Sequence, residues 1–134
     1  MEHDFLEIIK MRCSCRKFQD RQISHVELDA VLEAGTYAPS AEGRQSAFIV
    51  AVQNKEQRKK LAAMNAAVIG SKSNPFYDAP TYVLVFAPSN AHTAIEDGTC
   101  VLENMMLAAH ALNLGSCWIH REKEMFTTVG IGLS

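Results

Sequence analysis

The sequence has 134 residues, a length that suits one domain with its own hydrophobic core. It carries 13 basic and 15 acidic side chains, so no global positive charge argues for nucleic acid or an anionic membrane surface as a partner. No apolar run reaches the ~20 residues of a membrane span, and the acidic start MEHDFLEIIK does not resemble a signal peptide. We therefore expect a cytoplasmic protein with reduced cysteines.

The first part of the chain predicts two helices joined by an extended segment. The apolar residues between 5 and 11 recur at helical spacing, and the stretch RCSCRKF follows them as an extended segment. Ser24 and Glu27 form a capping-box pattern, which predicts a helix start. This second helix should end at about Ala38, because Pro39 disfavours helical backbone at the residue before it.

The remainder predicts strands alternating with helices. AFIVAVQ and TYVLVFA are continuous apolar runs typical of buried strands. Asn54 and Gln57 predict the start of a helix between them, and we assign its inner face to Leu61, Met64 and Val68. A loop at 70–79 and a long helix from about Ala94 to Leu112 complete this part.

Near the end, SCWIH and VGIGL read as short strands around a helical turn in EKEMF. The whole chain, 1–134, is therefore predicted to be a single α/β or α+β domain with helices layered on a sheet. The wide apolar face of the long helix suits packing on this sheet or against a second subunit, and the pattern favours neither.

The segment between residues 12 and 16 has the residue types of a phosphate site. In an extended backbone Arg12, Ser14 and Arg16 share one face, and two guanidinium groups with a hydroxyl are apt donors for a phosphate dianion. In a helix Ser14 would leave that face. The alternative is an ordinary solvated basic stretch.

Two further segments could contact a ligand. The loop PSAEGRQS joins a helix to a buried strand, a usual place for ligand contacts, and Gln45 offers a donor and an acceptor in one side chain. In LGSCWIH, Gly115 permits a close backbone approach. Trp118 suits a core position or a cofactor contact, and His120 suits a proton donor, a metal ligand or a surface residue.

Four soft ligands offer a zinc alternative. Cys13, Cys15, Cys117 and His120 have the number and type of a tetrahedral site, although the spacing of the first pair is tighter than usual. The sequence contains no G-x-G-x-x-G, no G-x-x-x-x-G-K-[ST] and no G-x-S-x-G, so dinucleotide-binding, P-loop and hydrolase-elbow motifs are unsupported.

Taken in order, RCSCRKF, EAGTYAPSAEGRQ, FYDAP before a strand and LAAHALNLGSCWIH resemble the nitroreductase family of flavoproteins over roughly residues 3–126. This resemblance implies a three-layer fold with a central mixed sheet flanked by helices. It also implies a homodimer with two FMN molecules held between its subunits. NADH or NADPH would be the electron donor, and nitro compounds, quinones or related molecules the acceptors.

The resemblance also implies which residues contact FMN, while no residue stands out as an obligatory general acid. The family's phosphate-binding segment corresponds here to Arg12, Cys13, Ser14 and Arg16. Its loop near the flavin ring and ribityl chain corresponds to Ser40, Ala41 and Gln45. Its stretch beside the ring corresponds to Cys117, Trp118 and Ile119.

This chain departs from the family pattern in two places. Glu42 and Gly43 stand where the family often has Gly and Asn, and the chain lacks the longer C-terminal extension that is usual in the family. A catalytically weak flavin-binding remnant therefore stays an alternative to an active FMN-dependent oxidoreductase.

Overall fold

The computed structural model describes residues 4–121 and 124–125. Its elements, in chain order, are α1 (Phe5–Met11), α2 (His25–Thr36), a 3₁₀ turn (Ala41–Gly43), β1 (Phe48–Val52), α3 (Lys55–Val68), β2 (Tyr82–Phe86) and α4 (Ala94–Ala111). Up to the end of α4, this is the predicted order of helices and strands.

The sheet formed by β1 and β2 is antiparallel, with Val50 opposite Leu84. Because side chains alternate along a strand, each face of β2 contributes to a different core. Tyr82 and Leu84 belong to a core with Ala62 of α3, whereas Val83 and Val85 pack against a core built by α2 and α4. The sheet therefore lies between two helical layers, as the three-layer prediction requires.

Two predicted helix starts are present with their side-chain caps. The Ser24 hydroxyl accepts a hydrogen bond from the backbone N–H of Glu27, and the Glu27 carboxylate accepts one from the backbone N–H of Ser24. At the start of α3, Asn54 accepts a hydrogen bond from the Gln57 N–H at 3.0 Å. Such caps satisfy backbone donors that have no partner within a helix.

The predicted inner face of α3 is confirmed only in part. Leu61 packs against the core that contains Tyr82 and Leu84 of β2. Leu61, Met64 and Val68 are all half-buried, however, and the buried residues of the helix are Ala62, Asn65 and Ala66. Asn65 is fully buried: its amide Nδ2 donates to the Met125 sulfur at 3.0 Å and its Oδ1 accepts from Arg121 at 3.3 Å. These two partners compensate for the burial of the Asn65 amide.

The third predicted strand is also corrected. In SCWIH, pairing is confined to a single parallel bridge between Ser14 and Ser116, and the residues after it are irregular. Parallel pairing in the described residues is limited to this bridge, so the central mixed sheet appears there as two antiparallel strands. Glu124 and Met125 are helical, in agreement with part of EKEMF, and VGIGL lies outside the described residues.

The two helices with apolar faces differ in what covers them. Helix α4 packs on α2 and the sheet through Val101, Met105 and Ala109, so one part of its apolar face is covered within its own chain. Helix α1 buries no residue, and most of its large apolar side chains are exposed. Within the described residues, no helix is both long and apolar enough to cross a bilayer.

The close packing of α2 on its neighbours gives a matched pair of tests. A Cβ at Gly35 would lie 2.8 Å from both Ile49 Cδ1 and Met105 Cγ, whereas a Cβ at Gly98 would meet only Val85 Cγ1 at 3.8 Å. Gly35→Ala should therefore lower the free energy of unfolding, because overpacking costs about 1–3 kcal/mol. Gly98→Ala should leave it unchanged or raise it by up to ~1 kcal/mol through helix propensity.

Urea unfolding of both variants and the wild type measures the difference. Equal stability of the two alanine variants would contradict the close approach of α2 to β1 and α4.

The capping box predicts a pH dependence. Hydrogen bonds from the Ser24 hydroxyl and backbone N–H hold the pKa of Glu27 below its ordinary value. The ionised carboxylate therefore stabilises the fold above its unfolded pKa, roughly 4.3, and this contribution is lost as the pH falls through the lower folded pKa. In urea unfolding, the difference in the free energy of unfolding between wild type and Glu27→Gln should disappear below about pH 4. A difference independent of pH would contradict the role of the ionised Glu27 carboxylate in the capping box.

Candidate functional site

The segment at residues 12–16 is held against the chain that follows α4. Ser14 pairs with Ser116 in a parallel bridge, and the Cys15 N–H donates to the Ser116 carbonyl at 2.9 Å. Two of the three segments singled out in the sequence are thus directly joined. Of the two conformations considered for RCSCR, the extended one is present.

Gly115 makes this contact possible. A Cβ at this position would lie 2.8 Å from both Cβ and Sγ of Cys15, and 3.7 Å from the ring of Phe18. The Cys15 Cβ is fixed by its backbone and cannot rotate away, so any side chain at position 115 would push the two segments apart. The close backbone approach predicted at Gly115 is confirmed.

The polar side chains of residues 12–16 have no partners of their own in the described part of the chain. There, the guanidinium groups of Arg12 and Arg16 and the hydroxyl of Ser14 make no side-chain hydrogen bond or ion pair. Arg12 is half-buried, whereas Ser14 and Arg16 are exposed. Two uncompensated cations beside a hydroxyl fit a phosphate group, since charge-assisted hydrogen bonds to phosphate are strong.

A cavity of ≈ 370 Å³ opens beside the bridge, between α2, α4, the start of β2 and the segment after Gly115. Cys117, Trp118 and Ile119, all predicted to lie near a flavin ring, line it, and so does Cys15. Its wall is mostly apolar, with Val31, Met105 and Phe18 among the contributors. The remaining predicted residues of the first segment, Arg12, Cys13, Ser14 and Arg16, do not line this cavity.

The loop after α2 lies elsewhere and is closed on itself. The Ser40 hydroxyl accepts a hydrogen bond from the Gln45 N–H at 2.8 Å, and the Gln45 amide donates to the Ala38 carbonyl at 3.2 Å. Ser40, Ala41 and Gln45 are absent from the cavity wall. In a single chain, therefore, the second predicted segment does not meet the other two in this cavity.

A buried acid of α4 holds this loop in place. Asp97 is 7% exposed, accepts the Ala41 N–H at 3.0 Å on one oxygen, and accepts the Thr93 hydroxyl at 3.0 Å on the other. Sequence reasoning missed Asp97. The sequence signal for its role was an acid in the first turn of a helix, four residues after a threonine. This pattern is also common on exposed helix surfaces.

The loop contains three residues with left-handed backbone. Glu42, Gly43 and Gln45 have φ values of 56°, 63° and 51°. Glycine adopts this region without strain, and so Gly43 suits the backbone that it has in this loop. Glu42 forms an exposed ion pair with Arg44, which contributes little to stability.

Cys15 was not among the predicted cofactor residues, although it lines the cavity together with Cys117. The predicted set included Cys13, which is exposed and outside the cavity. Composition could not separate the two cysteines, because residues 13 and 15 share a face in an extended segment.

His120 lies at the surface, in a second cleft of ≈ 260 Å³ that Tyr77, Trp118 and Arg121 also line. Its ring centroid is 6.1 Å from that of Trp118. Among residues 4–121 and 124–125, no group of three or more His, Cys, Asp or Glu side chains is placed to hold a metal ion. The zinc alternative is therefore dropped, because Cys13, Cys15, Cys117 and His120 do not converge.

The family model described as "Nitroreductase family" matches residues 9–122. A protein of Methanothermobacter thermautotrophicus, described as a candidate NADH dehydrogenase/NAD(P)H nitroreductase, is 32% identical over 119 residues, covering 86% of this chain and 60% of the relative. An FMN reductase [NAD(P)H] of Bacillus subtilis is 33% identical over 86 residues, covering 63% of this chain and 32% of the relative. The chain thus spans less than two thirds of the length of these relatives.

Solved structures of nitroreductases also resemble this chain. A nitroreductase with bound FMN from Bacteroides fragilis superposes with a TM-score of 0.83 at 31% identity, over 97% of this chain and 81% of that one. A second, with bound FMN, from Desulfitobacterium hafniense, gives 0.85 at 26% identity, over 96% and 76%. The predicted mixed α/β fold class is confirmed, and the chain belongs to the nitroreductase family.

Proposed function

We propose that this chain binds FMN and uses NADH or NADPH to reduce nitroaromatic, quinone or similar acceptors. The observation that carries the proposal is the direct pairing of residues 12–16 with the segment after Gly115. It sets the donors suited to a phosphate beside the stretch suited to a flavin ring. The FMN-bound relatives and the FMN reductase among the sequence matches support the same cofactor.

Arg12, Ser14 and Arg16 would hold the FMN phosphate. Their side chains have no competing partner in the described residues, so binding would break no internal ion pair. The Cys13 backbone lies between them, and the Ser14–Ser116 bridge fixes the segment in the extended form that places all three side chains on one face.

Cys117, Trp118 and Ile119 would lie beside the ring. When bound, FMN supplies the hydride-transfer chemistry, and the protein supplies binding, orientation and electrostatics. The half-buried Cys117 and Ile119 and the exposed Trp118 ring would cover one side of the flavin, and Gly115 sets the distance of this stretch from the phosphate donors. No side chain is assigned a proton-transfer role.

We further propose a homodimer, with 1–134 as one FMN-binding domain in each subunit. Ser40, Ala41 and Gln45 do not line the cavity of their own chain, which suits a loop that contributes to the site of a second subunit. Helix α1 leaves Phe5, Leu6 and Ile9 at 62%, 58% and 46% exposure, an apolar surface of the kind that interfaces cover. Four free cysteines suit the reducing cytoplasm, where NAD(P)H is made.

The phosphate role predicts a loss of FMN affinity. Arg12→Ala and Arg16→Ala should each weaken FMN binding by at least ~10-fold, because a hydrogen bond to a charged group is worth about 1.5–3 kcal/mol. Fluorescence titration of the purified protein with FMN measures the affinity. Riboflavin, which lacks the phosphate, should bind wild type and both variants equally.

Lys60→Ala is the matched control. Lys60 is exposed on α3, and its replacement removes the same single charge. An effect on FMN as large as that of Arg12→Ala would show that net charge, and not a local phosphate contact, governs binding.

If α1 lies in the interface of the proposed dimer, a charge introduced on α1 should dissociate the dimer, whereas a charge elsewhere on the surface should not. Ile9→Asp on α1 should shift the protein from dimer to monomer in gel filtration with light scattering, because an interfacial carboxylate loses its hydration. Ile69→Asp, at the end of α3, replaces another exposed isoleucine (55% exposed) and should leave the dimer intact. A dimer that survives Ile9→Asp would remove α1 from the interface.

The test of the function itself is an absorbance spectrum after gel filtration with added FMN, followed by NAD(P)H oxidation with a nitroaromatic and a benzoquinone. Co-eluting flavin and turnover support the proposal. Co-eluting flavin without turnover would favour the weak flavin-binding remnant. Failure to retain FMN would overturn the cofactor assignment.

A further inference from the structure

We propose that Cys15 and Cys117 form a thiol pair that oxidises reversibly to an intrachain disulfide. This goes beyond the proposed flavin chemistry and does not depend on it, since the apoprotein already contains both thiols. The disulfide would covalently join residues 12–16 to the segment that follows Gly115.

The backbone holds the two cysteines close together. The parallel bridge pairs Ser14 with Ser116, and Cys15 and Cys117 each follow a bridged residue. The 2.9 Å hydrogen bond from the Cys15 N–H to the Ser116 carbonyl limits the Cα atoms of Cys15 and Cys117 to about 7 Å, next to the range of roughly 4.4–6.8 Å found in disulfides.

The side chains favour the same pairing. The Cys15 sulfur lies 2.8 Å from the position of a Cβ on Gly115, so it points at the segment that carries Cys117. Cys15 and Cys117 are both half-buried and line the same cavity. The Cys15 thiol donates a weak hydrogen bond to the Lys17 carbonyl at 3.2 Å, and this contact is all that its side chain would give up within the described residues.

The other two cysteines are worse placed. Cys13 lies outside the cavity that Cys15 and Cys117 share. Cys100 belongs to α4 and packs against the core that α4 forms with α2. Cys13 is nevertheless the exposed thiol of the four. Solvent access therefore predicts pairing through Cys13, whereas the shared cavity predicts pairing through Cys15.

The oxidant is a low-molecular-weight disulfide. The thiolate of one cysteine attacks the disulfide and releases one thiol, which leaves a mixed disulfide on the protein. The second thiolate then attacks the protein sulfur of that bond and releases the second thiol. The sulfurs of Cys15 and Cys117 each lose a proton and together two electrons, and the small disulfide is reduced to two thiols.

The experiment equilibrates two double variants in buffers of reduced and oxidised glutathione. Cys13→Ser/Cys100→Ser retains Cys15 and Cys117, and its matched control, Cys15→Ser/Cys100→Ser, retains Cys13 and Cys117. Each has two thiols to count with a chromogenic reagent under denaturing conditions, and circular dichroism checks that each is folded. We expect the equilibrium constant for intrachain oxidation to be at least 10-fold larger in the first variant.

The wild type provides a readout that needs no substitution. Its four thiols should fall to two, and trypsin should yield peptide 13–16 linked to peptide 73–121, with chymotrypsin separating Cys100 from Cys117 and fragmentation of the linked peptide in the mass spectrometer separating Cys13 from Cys15. Equal oxidation of the two double variants, four persisting thiols, a link through Cys100, or disulfide-linked dimers on non-reducing gels would each overturn the pairing.

Discussion

The arrangement of the site depends on the absence of a side chain at residue 115. With a Cβ there, the chain after α4 could not approach Cys15, and the hydrogen bond from Cys15 to Ser116 could not form at 2.9 Å. The bridge at Ser14 in turn keeps residues 12–16 extended, which puts two arginines and a serine on one face. The segment after Gly115 then forms one wall of the cavity through Cys117, Trp118 and Ile119. One local steric condition therefore sets the distance between the two halves of the proposed FMN site.

Most of the fold could be predicted from the sequence because its signals are local. The Ser24 capping box and the Asn54 cap are satisfied by residues three positions away, so their pattern and their geometry coincide. The two apolar runs became β1 and β2. The weaker predictions concern contacts between distant residues. Asn65 and Asp97 are buried because of partners far away in the chain, and hydropathy assigns such residues to the surface.

The candidate site could be predicted in part for the same reason. Composition and spacing identified the segments at residues 12–16 and 114–120, and the fold joins them. Neither spacing nor composition could show that Ser40 and Gln45 would satisfy each other and Ala38 within their own loop, or that Asp97 would tie that loop to the start of α4. The choice between Cys13 and Cys15 also depends on the fold, because only Cys15 of the two lines the cavity with Cys117, about a hundred positions away in the chain.

The burial of Asn65 has a consequence for the order in which the molecule is assembled during its synthesis. Its two side-chain partners, Arg121 and Met125, follow it by 56 and 60 residues. Until both have left the ribosome, the Asn65 amide satisfies its hydrogen bonds with water, and the inner face of α3 cannot close completely. Among residues 4–121 and 124–125, the core of the α2 and α4 layer includes none beyond Leu114. The two faces of the sheet should therefore be completed at different moments of translation, the α2 and α4 face first.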